Sequence, residues 1–219
     1  MNLESGTIKM NGSLKVGSIA QLHSDSELIT DCSERWAAQV KEVYITVNEL
    51  KKSWAGEFAK KYTDAVEEVQ PDLVDFANVL NRLSTTLTNV SNMFKATEEQ
   101  GDVTAAQHVD PTQFDLTEIE KTISDEELTF TSSACKEKAS RMNESAAVIE
   151  GIIDEVNSNI ESINGNYESE SGTELIGKVK KMKDAAPEYI KAIKECADCL
   201  INVVAPQYEA IEQYAATGE

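Results

Sequence analysis

The nearest approach to a reactive constellation in this chain is Cys196 and Cys199, in "AIKECADCLINVV". A C-x-x-C acts as a redox pair where a helix begins, because the helix N-terminus lowers the thiol pKa. Here both cysteines fall inside an apolar run at helical spacing, so the sequence predicts buried core thiols. A zinc site needs two further ligands, and Cys32, Cys135, His23 and His108 occur singly. No nucleophile elbow, phosphate loop, H-E-x-x-H or EF-hand pattern is present. The many carboxylates fall on solvent faces at helical spacing. No catalytic, metal-binding or cofactor-binding residue is predicted, and no cofactor.

A second spacing points to recognition instead. Tyr208 and Glu212, in "QYEAIEQY", are four residues apart and share one helix face, where a partner can read them together. On spacing alone the pair reads first as an interfacial tyrosine beside an ordinary acid. Phe94 and Glu98 repeat the spacing earlier in the chain.

Helices must carry these residues. Four prolines and ten glycines leave long uninterrupted stretches in 219 residues, and hydrophobics at 41% suffice for a core. That balance is all-α. Trp36, Val40, Val43, Val47, Leu50 and Trp54 recur at three- and four-residue steps, on a helix expected from about Ser26. Trp54-Ala55-Gly56 predicts a corner. A second stripe follows: Phe58, Tyr62, Val66, Val69, Leu73, Phe76, Leu80, Leu83, Leu87, Val90 and Phe94. Pro71 is expected to kink or divide it. Residues 26–99 thus form an antiparallel helical hairpin. In the leader, residues 1–25, Ile8, Met10, Leu14 and Val16 flank Asn11-Gly12, a two-residue β-hairpin signal. A disordered leader is the alternative. Residues 100–129 lack periodicity and read as a linker, with a short helix expected around 116–123.

The first pattern returns in residues 130–219. Ile153, Val156, Ile160, Ile163 and Tyr167 follow Val40, Val43, Val47, Leu50 and Trp54 by one constant shift (153 − 40 = 113). Glu155 falls on Glu42, and Pro187 answers Pro71 after a short insertion. Such a register indicates an internal repeat. Two helical hairpins, each with one apolar face, predict an intramolecular four-helix bundle.

Thirty-nine acids against twenty bases give a formal charge of −19. That field repels duplex nucleic acid and anionic membrane surfaces. No apolar run is long enough to span a bilayer, and the N-terminus lacks the basic and apolar regions of a cleavable signal peptide. Taken alone, this argues for a cytoplasmic protein.

A helix, a Trp-x-Gly turn, a second long helix and Y-x-x-x-[DE] near its end resemble the WXG family of small type VII (Esx) secretion substrates. Trp54-Ala55-Gly56 matches the turn motif, and Tyr208 with Glu212 matches the export motif. The resemblance covers residues 26–99 and 130–215. It departs at Tyr167-Glu168-Ser169, where the family has Trp-x-Gly and where Gly165 and Gly172 are candidates to loosen the turn. It departs again at Phe94 and Glu98, where phenylalanine stands in place of the tyrosine before the acid. The resemblance implies two fused hairpins and a composite patch of Trp54, Gly56, Tyr208 and Glu212. It also implies a place outside the cell or on its surface without a cleavable signal, and a secretion ATPase or a co-secreted helical protein as partner. The expected function is non-enzymatic: substrate, effector carrier or co-secretion partner of a type VII system. The alternative is a cytoplasmic helical adaptor or chaperone that receives a partner helix. An enzyme is the least supported class, since the chain leaves no room for a catalytic domain after its last predicted helix. The oligomeric state is left open.

Overall fold

The computed structural model describes residues 8–10, 12–99, 101, 106–120 and 130–217. The expected turn residue Asn11 and residues 121–123 of the expected short helix lie outside them. The chain runs β1 (Ile8–Met10), β2 (Gly12–Val16), α1 (Ile19–Ser53), α2 (Glu57–Glu98) and α3 (Thr117–Glu120). It continues with α4 (Ser132–Asn166), β3 (Tyr167–Glu168), α5 (Glu170–Cys199), a π-helical turn (Leu200–Val204) and α6 (Ala205–Thr217). The fold is an all-α bundle of two helical hairpins, α1–α2 and α4–α5.

The chain divides into two compact units, and each of the four long helices gives a segment to both. The first comprises Met1–Arg35, Asp75–Phe114 and Ile152–Asp184. It buries Leu22 and Ile29 from α1, Phe76, Leu80, Leu83 and Leu87 from α2, Val156, Ile160 and Ile163 from α4, and Val179 from α5. The second comprises Trp36–Val74, Asp115–Gly151 and Ala185–Glu219. Its interior holds Trp36, Val40, Val43, Val47 and Leu50, Val66 and Leu73, Met142 and Ile149, and Ile193, Cys196 and Leu200. These are one-sided stripes at helical period, the pattern that drives marginal single helices together.

Helix α1 starts at Ile19, ahead of the expected Ser26. Its opening turns bury Asp25 and Ser26 beside Leu22, which breaks the apolar period there. Both polar groups are bonded: Asp25 accepts from Gln21 Nε2 at 2.9 Å and from Ser162 Oγ at 3.1 Å, and Ser26 Oγ meets Thr88 Oγ1 at 3.0 Å. The repeat register also slips at one position. Val40 is buried, whereas Ile153 is only half-buried and its neighbour Ile152 takes the core position.

Pro71 does not divide the second stripe, since α2 is unbroken from Glu57 to Glu98. Pro187 likewise sits within α5. A mid-helix proline costs about 3 kcal/mol through its missing N–H and ring clash. The buried residues on either side, Val66 and Leu73 in α2, hold the helix through it. Pro206 is accommodated differently. It lies in α6 directly after the π-helical turn, where the Ala205 N–H bonds the Leu200 carbonyl and the helical bonding pattern shifts.

Each hairpin corner is three residues long, and the two are built differently. Trp54-Ala55-Gly56 is the whole connection between α1 and α2. Trp54 N–H donates to the Leu50 carbonyl at 2.7 Å, and Gly56 enters α2 at φ +112°. That is a backbone setting L side chains rarely adopt. Tyr167-Glu168-Ser169 is the whole connection between α4 and α5. There Ser169 caps α5 with its side chain, accepting the Gly172 N–H at 3.0 Å. A capping serine thus takes the place of the positive-φ glycine. Gly172 does not loosen this turn; it makes room for the aromatic, because a Cβ there would stand 2.3 Å from Tyr167 Cε1. Gly165 lies within α4.

The leader does form an antiparallel hairpin, with Ile8 opposite Leu14 and Met10 opposite Gly12. Gly12 is therefore a paired strand residue rather than half of a two-residue turn. A lone hairpin is marginal in water, and this one gains a third strand: Val16 pairs with Tyr167 and Lys15 with Glu168. Asn166 secures the junction, its side-chain amide bonding Ser18 N–H at 2.5 Å and the Ser18 carbonyl at 2.9 Å.

Part of the linker lies along α2 as an extended strap. Asn78 bonds both backbone groups of Phe114, at 2.7 and 2.9 Å, and Asn89 bonds both of Val109, each at 2.8 Å. Asn92 donates to the Gln107 carbonyl at 3.0 Å. The two double clamps match in length. Eleven helical residues rise about 16 Å, and five extended residues span roughly the same. Asn89→Ala is expected to free the Val109 amide to exchange with solvent while shifting global stability by no more than about 1 kcal/mol. Hydrogen exchange compared with thermal unfolding checks this.

Candidate functional site

The first corner opens into an aromatic chain within the second unit. Trp54 is buried at 7% exposure, and its ring meets Phe58 edge-on at 6.2 Å. Phe58 in turn meets Tyr62 at 5.3 Å. On its other side Trp54 stacks on Phe130 at 5.9 Å with planes 8° apart. Phe130 then receives Tyr208 edge-on at 4.9 Å and 88°. Edge-to-face and offset-stacked arrangements such as these are favoured by the ring quadrupoles. Trp54 of the first hairpin and Tyr208 of α6 are therefore joined through one shared ring.

Glu212, one turn after Tyr208 in α6, is also engaged. Its Oε1 accepts the Ser132 N–H at 2.8 Å and its Oε2 accepts the Ser132 hydroxyl at 2.7 Å. Ser132 is the first residue of α4, so the carboxylate sits at the positive end of a 35-residue helix. The Ser132 hydroxyl and N–H hold the Glu212 carboxyl below the usual carboxylate range. Thr131 caps the same terminus from within the chain, its Oγ1 accepting the Ala134 N–H at 3.1 Å. Lys136 and Glu209 add a solvent-exposed ion pair at 3.2 Å, a contact of little energetic weight.

The structure thus brings Trp54, Tyr208 and Glu212 to one place, with Gly56 two residues from Trp54 at the corner. Tyr167 belongs to the first unit, buried at 4%, with its hydroxyl bonded to Ser169 Oγ at 2.6 Å. Phe94 is half-buried and Glu98 exposed near the end of α2. Sequence reasoning missed Phe130 and Ser132. Their signal was an aromatic just before Thr131-Ser132, the residue order of a stapled and capped helix start.

The cysteines offer no reactive centre. All four are free and buried. Burial pushes the Cys196 thiol up to about 12 and Cys135 to about 11, the reverse of activation. Among the described residues no group of three or more His, Cys, Asp or Glu could hold a metal ion, and no helix is long and apolar enough to cross a membrane.

Residues 18–99, which hold the first corner and both of its helices, match the family model WXG100, "Proteins of 100 residues with WXG". Through this hairpin the chain is similar to the WXG family. No curated protein and no solved structure matches the chain. WXG proteins are non-enzymatic helical proteins associated with type VII secretion, and they pair with other helical proteins in that setting. The family match begins at residue 18, beside the observed start of α1 at Ile19.

Proposed function

We propose that this WXG-like protein is exported by a bacterial type VII system as a folded bundle, and that the machinery reads the surface that Trp54, Phe130, Tyr208 and Glu212 build. Its two hairpins are a tandem fusion, so one chain supplies the bundle that family members otherwise build from two. The role is that of a substrate, effector carrier or co-secretion partner, delivered to the outside of the cell or its surface. The carrying observation is the shared ring: Phe130 joins the Trp-x-Gly corner to the tyrosine of Y-x-x-x-E. The exposed side chains of α6 support a docking partner, whether the secretion ATPase or a co-secreted helical protein. Ile211 and Tyr214 leave apolar surface uncovered there, as does Val203 in the π-helical turn before it.

The test is export from the native host. A Y208A/E212A chain is expected to accumulate inside cells and vanish from the medium, with its helical circular dichroism intact. Undiminished secretion of that variant overturns the reading.

A further inference from the structure

We propose that Ser132 is a positioning residue of the export surface, and that Glu212 acts through it as a latch rather than by touching the secretion machinery. The inference rests on the export reading above. Both oxygens of the Glu212 carboxylate are already occupied, one by the Ser132 N–H and one by its hydroxyl. An acid so engaged already has an intramolecular partner at each oxygen. It fixes α6 against the first turn of α4.

That fixation reaches the aromatic chain by a short path. Tyr208 lies one turn before Glu212 on the same face of α6, and Phe130 lies two residues before Ser132. Holding Glu212 on Ser132 therefore holds Tyr208 on Phe130, the ring that also carries Trp54. Helix α6 has few other anchors. Beyond buried Ala205, every residue from 206 to 217 is exposed except half-buried Tyr208. Its thirteen residues continue α5 through the π-helical turn, and the far end of a helix is where fraying starts. Without the latch the tail frays and the composite surface separates into its parts.

Variants at Ser132 separate this from direct reading of Glu212. S132P removes both donors, and proline is tolerated at the first position of a helix. S132A removes the hydroxyl alone, and S132T keeps both groups. In the purified full-length protein, exchange of the amides from 207 to 217 is expected to speed up roughly tenfold or more in S132P. S132A should show a smaller rise and S132T none, with circular dichroism confirming the bundle in each. In the host, S132P should lose export as fully as E212A, the double variant should be no worse than either, and S132T should export normally. Retained protection of α6 in S132A and S132P overturns the latch. So does normal export of S132P beside a failing E212A, since Glu212 is then read directly. Normal export of E212A overturns the export reading itself, while the exchange measurement still decides the latch.

Discussion

Trp36→Ala is expected to cost about 4 kcal/mol of stability, the largest loss from any single truncation in the second unit. Trp36 is fully buried, and its Nε1 donates to the Leu73 carbonyl at 2.8 Å. Truncation removes both the packing of the indole and that bond. It leaves a cavity among helices that meet along long stripes and collapse poorly. Domains of this size have only about 5–15 kcal/mol in all, so the urea midpoint should fall sharply at unchanged slope. Trp36→Phe keeps most of the volume and should cost far less. A midpoint shift worth under about 1 kcal/mol for Trp36→Ala would contradict the packing described here.

Glu49→Ala is the second large effect. Glu49 Oε2 accepts from Lys138 Nζ at 2.6 Å and from Arg141 Nη1 at 2.8 Å, while Arg141 also reaches Glu42 at 2.5 Å. Lys138 is buried at 8% exposure, and removing its acid leaves a cation out of water without a counterion. A broken buried pair costs about 3–5 kcal/mol; partial exposure of Glu49 reduces the expectation to about 2 kcal/mol. Burial alone would raise the Glu49 carboxyl, but Lys138 and Arg141 more than offset it and hold the group below its ordinary value. A carboxylate depressed in the folded state stabilises fully above its unfolded pKa, and that contribution is lost as pH falls through the folded pKa. Stability of the wild-type chain should therefore fall through the acid range, and the Glu49→Ala chain should fall less steeply there. Denaturant titrations at neutral and acid pH check both points. The E49L/K138M pair should recover part of the loss, because it removes both charges together.

What the sequence made legible was whatever repeats locally. The stripe from Trp36 to Trp54 and the one from Leu73 to Leu87 are helical period in plain form, and Trp54-Ala55-Gly56 is a corner readable from three residues. The rest depended on partners distant in the chain. Asn78, Asn89 and Asn92 look like solvent-facing polar residues until the linker returns beside them. Tyr167-Glu168-Ser169 looks like a failed Trp-x-Gly until the leader supplies a strand. Buried Asp25 and Ser26 hid the start of α1, because two of their hydrogen-bond partners, Ser162 and Thr88, lie on other helices. At the site, Tyr208 and Glu212 were visible as a spacing. Phe130 and Ser132 were not, since nothing local says which ring or which helix terminus α6 will meet.

The strap places a condition on chain length. Its two double clamps, Asn78 on Phe114 and Asn89 on Val109, engage together only when the helical and extended spans agree. Deleting or inserting one residue between Val109 and Phe114 changes the strap by about 3.3 Å, more than a hydrogen bond can absorb. One clamp must then open. Relatives of this chain that lengthen the linker should do so outside residues 109–114, whereas those that add three turns to α2 between the clamps should add about five residues to the strap. The linker and the second helix are in this sense a slide rule, and their lengths are free to drift only in matched steps.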